Sequence, residues 1–259
     1  MCSRTGWRVV RLLVWLPAVI PAHAAGPTWA KKATAFEAKC LYDTSEHPGE
    51  ICRPELIPSP DRKSRVAAVY RDAFTLKDGG RVALAYLRVT TPLMGTQNVE
   101  LPAGFGKFDL HWFPDSKGFF LNGNNGGGYW GFWVWAYWLE GGTVRKVDVM
   151  RAVRQDMLAS FPPCRATKAD PDTCRELYSD SQYPNESGID WSSDPAGLVV
   201  MAEVPCSSSY GGVMCQVKGY VVSVPEGKIV QTMNARELKD RWQGSMAFSM
   251  RIPDPPEYK

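Results

Sequence analysis

Between residues 108 and 156 apolar and polar positions alternate in short runs broken by turn residues, the period of strands. FDLHW predicts a strand ending at Trp112, Pro114-Asp115 a turn, residues 118–121 a second strand, residues 129–139 a third, Gly141-Gly142 a turn, and residues 143–147 a fourth. From Val149 the period becomes helical: Val149, Val153 and Met157 recur on one face behind Asp148, a candidate N-cap. The same order of elements recurs after Gly188 and ends in a helix behind Asn234, with Glu237 placed for a capping box and Leu238 and Trp242 as its apolar positions. Upstream, residues 59–72 and 81–89 predict two strands around Lys77-Asp78-Gly79-Gly80, a partial third unit. The expected fold class is mainly β: antiparallel four-stranded blade-like repeats, a propeller or part of one, with short helices after the repeats.

The third strand is the most apolar stretch. Alternation puts Tyr129, Gly131, Trp133, Trp135 and Tyr137 on one face and Trp130, Phe132, Val134, Ala136 and Trp138 on the other, so both faces are apolar and the simplest placement is between two layers. A functional alternative keeps its loop end exposed. Tyr129, Trp130 and Trp133 would then form a rim with Asn122, Asn124 and Asn125, aromatic faces stacking on sugar rings while the amides bond hydroxyls. The corresponding loop of the next unit, between Cys206 and Cys215, offers Tyr210 and a run of serines at the same end.

Three turns carry a resemblance. Ser59-Pro60-Asp61-Arg62-Lys63, Trp112-Phe113-Pro114-Asp115-Ser116-Lys117 and Trp191-Ser192-Ser193-Asp194-Pro195 resemble the W-S-P-D-x-K turn of TolB-like, or PD40-type, β-propeller blades, where the motif joins the first and second strands. The first copy lacks the Trp, and the third has Asp before Pro. The resemblance implies a propeller fold and protein partners. A longer internal match runs with it: Val134, Tyr137, Gly142, Val147, Arg151 and Asp156 parallel Val217, Tyr220, Gly227, Val230, Arg236 and Asp240 at a nearly constant offset. The units expected are about 59–107, 108–187 and 188–259, one domain of residues 59–259. Propellers usually carry ~4 to 8 blades, so an array this short leaves edges for the N-terminal extension, the C-terminus or a second copy of the chain to pair.

Residues 1–24 read as a secretory signal peptide: Arg4, Arg8 and Arg11, an apolar run over residues 12–20, and Ala22-His23-Ala24 before the cleavage point. The apolar run is shorter than the ~20 residues that span a bilayer. An exported chain, periplasmic or secreted, is expected, with no transmembrane segment in its mature form. Removing that segment lowers Lys plus Arg from 30 to 27, equal to Asp plus Glu at 27. A neutral chain without a basic stripe argues against nucleic acid and against an anionic membrane as the main partner. Six cysteines remain as near neighbours, Cys40 with Cys52, Cys164 with Cys174 and Cys206 with Cys215, which fits three local disulfides in an oxidising compartment. Residues 25–58 then form a disulfide-pinned extension rich in turn residues. No CxxC occurs and His47 and His111 are the only mature histidines, so no metal is expected, nor any cofactor.

No constellation names a reaction. The loop NNGGG precedes a strand and so lacks the helix N-terminus of a phosphate loop, GxSxG is absent, and His111 within FDLHW reads as a core-edge histidine. Asp109 with Asp115, and Asp190 with Asp194, read as turn residues, and Asn185-Glu186-Ser187 is a glycosylation acceptor by pattern. No catalytic residue is assigned. The foremost reading is a non-enzymatic binding or interaction module of the cell envelope, partnered by a protein or an envelope glycan through inter-strand loops. A carbohydrate-binding protein or glycan-active enzyme using residues 122–135 is the second, and a purely structural envelope protein the third.

Overall fold

The computed structural model describes residues 56–71, 83–101, 107–124, 132–161, 172, 184–206, 214–246 and 252. The signal segment, residues 25–55, the turn at 77–80 and the pairs Cys40–Cys52 and Cys164–Cys174 lie outside them. Among the described residues twelve strands form three four-stranded antiparallel sheets, each in simple chain order. The first sheet holds β1 (Ile57–Pro58), β2 (Arg65–Arg71), β3 (Ala83–Thr91) and β4 (Gly95–Glu100). β5 (Lys107–Trp112), β6 (Gly118–Asn124), β7 (Phe132–Glu140) and β8 (Thr143–Val147) make the middle sheet, followed by α1 (Val149–Ala159). The last has β9 (Asn185–Ser193), β10 (Ala196–Val204), β11 (Gln216–Ser223) and β12 (Lys228–Asn234), followed by α2 (Ala235–Trp242). The protein is therefore mainly β and built of blade-like units with short helices after the second and third.

The first unit is a complete sheet, not the partial one expected. Its fourth strand, GTQNVE, pairs with β3 from Thr91↔Gly95 to Tyr86↔Glu100. Only Gln97 and Val99 of its inward-facing positions are half-buried, and one of them is polar, so hydrophobic alternation does not announce it.

The turns that join first to second strands explain why the units start alike. In the first, Arg62 N donates to Ser59 O at 2.9 Å and Lys63 N to Asp61 Oδ1 at 3.0 Å; in the second, Ser116 N donates to Phe113 O at 3.0 Å and Lys117 N to Asp115 Oδ1 at 2.9 Å. Arg62 and Ser116 occupy the left-handed region at φ 60 and 61. The Asp closes each turn by taking the backbone N–H two residues on, which is why Asp follows Pro in both. The third copy is a two-residue turn, Asp194-Pro195, with Ser193 paired to Ala196 and a cis peptide between the two turn residues.

Packing is a linear stack. Val66, Ala68, Leu87 and Val89 of the first sheet meet Leu110, Trp112, Phe119, Leu121 and Tyr137 of the middle sheet in one core. The opposite face of the middle sheet, with Phe113, Phe120, Val134 and Ala136, meets Leu198, Val200, Ala202, Tyr220 and Val222 of the last sheet, with Val149, Val153 and Met157 of α1 filling the same core. A third core lies on the outer face of the last sheet, where Leu238 of α2 covers Val199, Met201, Val217 and Val221. A Cβ at Gly219 would lie 2.6 Å from Leu238 Cδ1, so the glycine lets α2 sit down on β11. On the outer face of the first sheet, Arg65, Arg88, Thr96, Asn98 and Glu100 are exposed. Among the described residues the first and last sheets share no core, and the array is an open stack ended by a polar face and by a helix.

Two side-chain amides rivet neighbouring sheets by imitating a strand. Gln97 donates to Gly142 O at 2.9 Å and accepts from Val144 N at 3.2 Å; Asn122 donates to Gly188 O and accepts from Gly188 N, both at 2.7 Å. Gly188 must be bare, because a Cβ there would lie 2.7 Å from the Phe120 ring. A bulge between Val199 and Val200 skips Ile189 in the pairing, which turns Gly188 and Trp191 to the inner face together.

Tyr137 is fully buried between the first and middle sheets, stacked on Phe119 at 5.0 Å, and its hydroxyl has no hydrogen-bond partner. A buried, unpaired hydroxyl opposes folding, so Tyr137→Phe is expected to raise unfolding stability by about 1 kcal/mol, whereas Phe120→Ala costs about 3–5 kcal/mol. Urea unfolding of both variants checks the two signs.

A candidate binding groove at the β7–α1 edge

β8 pairs only with residues 136–140 of β7, so the first half of β7 runs on beyond it toward α1. There a groove of about 670 Å³ opens, lined by Trp133 and Trp135 of β7, Lys146 of β8, and Asp148, Met150, Arg151, Arg154 and Gln155 around the start of α1. The helix is placed by its own chemistry. Asp148 caps it, accepting from Arg151 N at 3.0 Å, and Val149, Val153 and Met157 are buried against the last sheet, which turns Arg151, Arg154 and Gln155 toward the groove.

The groove has an aromatic wall and a cationic rim. Trp133 and Trp135, both half-buried, stack with ring centroids 5.9 Å apart and 21° between planes. Lys146 Nζ lies 5.2 Å from the Trp135 ring centroid, within cation–π range. Burial pulls the Lys146 ammonium below its ordinary range, opposed by the Asp148 carboxylate.

Behind the rim sits an acid without a full complement of partners. Glu186 is 0 % exposed; its Oε2 lies 3.4 Å from Arg154 Nη2, while its Oε1 and Arg154 Nε have no hydrogen-bond partner. Burial pushes this carboxyl up to about 8, against the pull of Arg154 and with the push of Asp148. Beside it on the inner face of the last sheet, Asp156 of α1 accepts from Tyr220 Oη at 3.1 Å and pairs with Lys218 Nζ at 3.4 Å. Because Glu186 is fully covered, it holds Arg154 in place and does not itself reach the groove.

Of the residues singled out from the sequence, Trp133 lines this groove. Asn122 faces the last sheet, and both ends of its amide are taken by Gly188, so the structure gives it an inter-sheet role. Asn124 closes β6, paired with Phe132 across the strands. Asn125, Tyr129, Trp130 and Tyr210 lie outside the described residues. The described ends of β6, β7, β10 and β11 that flank them lie opposite the Pro-Asp turns, and the Cys206–Cys215 disulfide links the chain after β10 to the chain before β11. Sequence reading missed Lys146, Arg151, Arg154 and Glu186. The helix itself held the usable signal: Arg151, Arg154 and Gln155 fall on one side of the Val149–Val153–Met157 stripe.

His111 stacks on Phe120 at 4.7 Å with 11° between planes, and burial pulls its imidazole below the ordinary range. Asp190 is buried, and its Oδ1 accepts from Trp191 N at 2.6 Å, a local backbone contact. Asn185 is 2 % exposed within β9, so the glycosylation pattern is shielded in the folded chain. Among the described residues no three His, Cys, Asp or Glu side chains converge on one point, and no helix is long and apolar enough to cross a membrane.

These features define a class: a three-unit antiparallel β stack with an aromatic, cation-rimmed groove at one end. No protein-family model, curated protein or solved structure matches the chain.

The Glu186 environment fixes a pH dependence. The fold favours the neutral carboxyl, so its contribution to stability is fully present below the ordinary carboxylate range and is lost as pH rises through about 8. Glu186→Gln removes that loss. Urea midpoints of the variant and wild type, compared from acid to alkaline pH, are expected to shift in favour of the variant as pH rises; a pH-independent difference would contradict the placement.

Proposed function

We propose that the protein is an exported, non-enzymatic binding module of the cell envelope, and that it holds an acidic glycan in the β7–α1 groove. One observation carries the reading: the stacked Trp133–Trp135 pair shares a groove with Lys146, Arg151 and Arg154. Indole faces take up the C–H faces of sugar rings, and fixed cations select a carboxylate or sulfate on the same ligand. Arg154 is suited to that role because Glu186 holds one Nη and limits the rotamers the side chain must give up on binding. Stacking surface and fixed charge are the chemistry of binding, and fold alone does not assign a reaction.

The Cys206–Cys215 disulfide supports residence in an oxidising compartment, in keeping with the N-terminal segment. The TolB-like turns favour a second reading, a protein partner engaged by the loops between β6 and β7 and between β10 and β11, which leave the same end as the groove.

Tryptophan fluorescence titration separates the two. An oligosaccharide bearing uronic acids is expected to perturb the emission saturably, its neutral counterpart weakly, and Trp133→Ala to lower affinity about tenfold or more. Equal response to both sugars, or no loss in the variant, would remove the glycan from this groove and leave the loops as the place to seek a partner.

A further inference from the structure

At the opposite end of the stack the first sheet presents a second surface, independent of the groove. The tip of the β3–β4 hairpin carries Leu93, 91 % exposed, and Leu56, immediately before β1, is 50 % exposed. Leu93 is not on a loose loop. Pro92 precedes it, Met94 N donates to Thr91 Oγ1 at 3.0 Å beneath it, and Gly95 takes the left-handed conformation at φ +64 to return the chain into β4. Beside this tip lies a groove of about 440 Å³ whose lining includes Leu56, Pro58, Arg62, Lys63, Arg65 and Pro92. All three cations are exposed. Asp61, the acid just before them, is also exposed, and its Oδ1 accepts from Ser59 Oγ at 2.6 Å and Lys63 N at 3.0 Å.

We propose that this end is a docking surface for an anionic phospholipid membrane, with the headgroup phosphates held among Arg62, Lys63 and Arg65 and Leu93 entering the interface. Charge complementarity supplies the attraction, and a single large apolar side chain on a rigid tip supplies the insertion. An acidic polypeptide could meet the cations, but a leucine almost wholly exposed at a hairpin tip suits a fluid apolar layer better than a packed protein surface. Chain-wide neutrality conceals this surface, because residues 59–65 carry three cations, Arg62, Lys63 and Arg65, against the one carboxylate of Asp61. Docking here leaves the β7–α1 groove facing away from the membrane, since Trp133 and Lys146 lie at the other ends of their strands.

The test is co-sedimentation of the full chain with phosphatidylglycerol vesicles and with phosphatidylcholine vesicles. Binding is expected on the former, weakened by added salt, and weak on the latter. Lys63→Ala and Arg65→Ala should each weaken it about fivefold, and Leu93→Ser should weaken it without changing its salt dependence. All three side chains are exposed, so unchanged unfolding midpoints serve as the folding control. Equal binding to both vesicles, or unchanged binding in the Lys63→Ala, Arg65→Ala double variant, overturns the proposal. Absence of vesicle binding with salt-sensitive retention on polyglutamate also overturns it and assigns the surface to an acidic polypeptide.

Discussion

Everything in this structure depends on the middle sheet being buried on both faces. β7 contributes Tyr137 to one core and Val134 and Ala136 to the other, and neither neighbouring sheet touches the other's core among the described residues. The apolar run is therefore the joint of the stack. The first sheet has one apolar face, which only the middle sheet covers, while the last sheet packs its inner face on the middle sheet and α1 and its outer face on α2. The equivalent tyrosines of the repeat, Tyr137 on β7 and Tyr220 on β11, each face the preceding sheet, so the internal repeat is a repeat of packing direction as well as of strand order.

Where the joint runs past β8 it also creates the groove. The short β8 lets the chain turn into α1 after Val147, and α1 drops its apolar stripe into the core already formed by the middle and last sheets. Its polar side is then left beside Trp133 and Trp135. The aromatic strand thus serves the core along most of its length and lines the groove only near its start. The tight turns between first and second strands lie at one end of the stack, and the start of α1 lies at the other.

Much of this was legible in the sequence because it rests on local chemistry. The Pro-Asp turns, the Asp148 cap, the Asn234–Glu237 capping box and the two-faced apolar strand all depend on residues within a few positions of one another. What was not legible depends on contacts across sheets. GTQNVE pairs with β3, and its polar Gln97 is spent on Gly142 and Val144 of the next sheet, forty-odd residues away. Asn122, read as a ligand amide, is held by Gly188, and Arg154 meets Glu186 only after the last sheet has folded under α1.

Residue-resolved hydrogen exchange in increasing denaturant tests the central claim most directly. If the middle sheet is the joint, the amides of Leu121 and of residues 134–137 exchange only through global unfolding, while those of β2, β3 and β12 also open by smaller, sub-global steps. Exchange of the β6 and β7 amides through an opening that leaves the first or last sheet protected would contradict it.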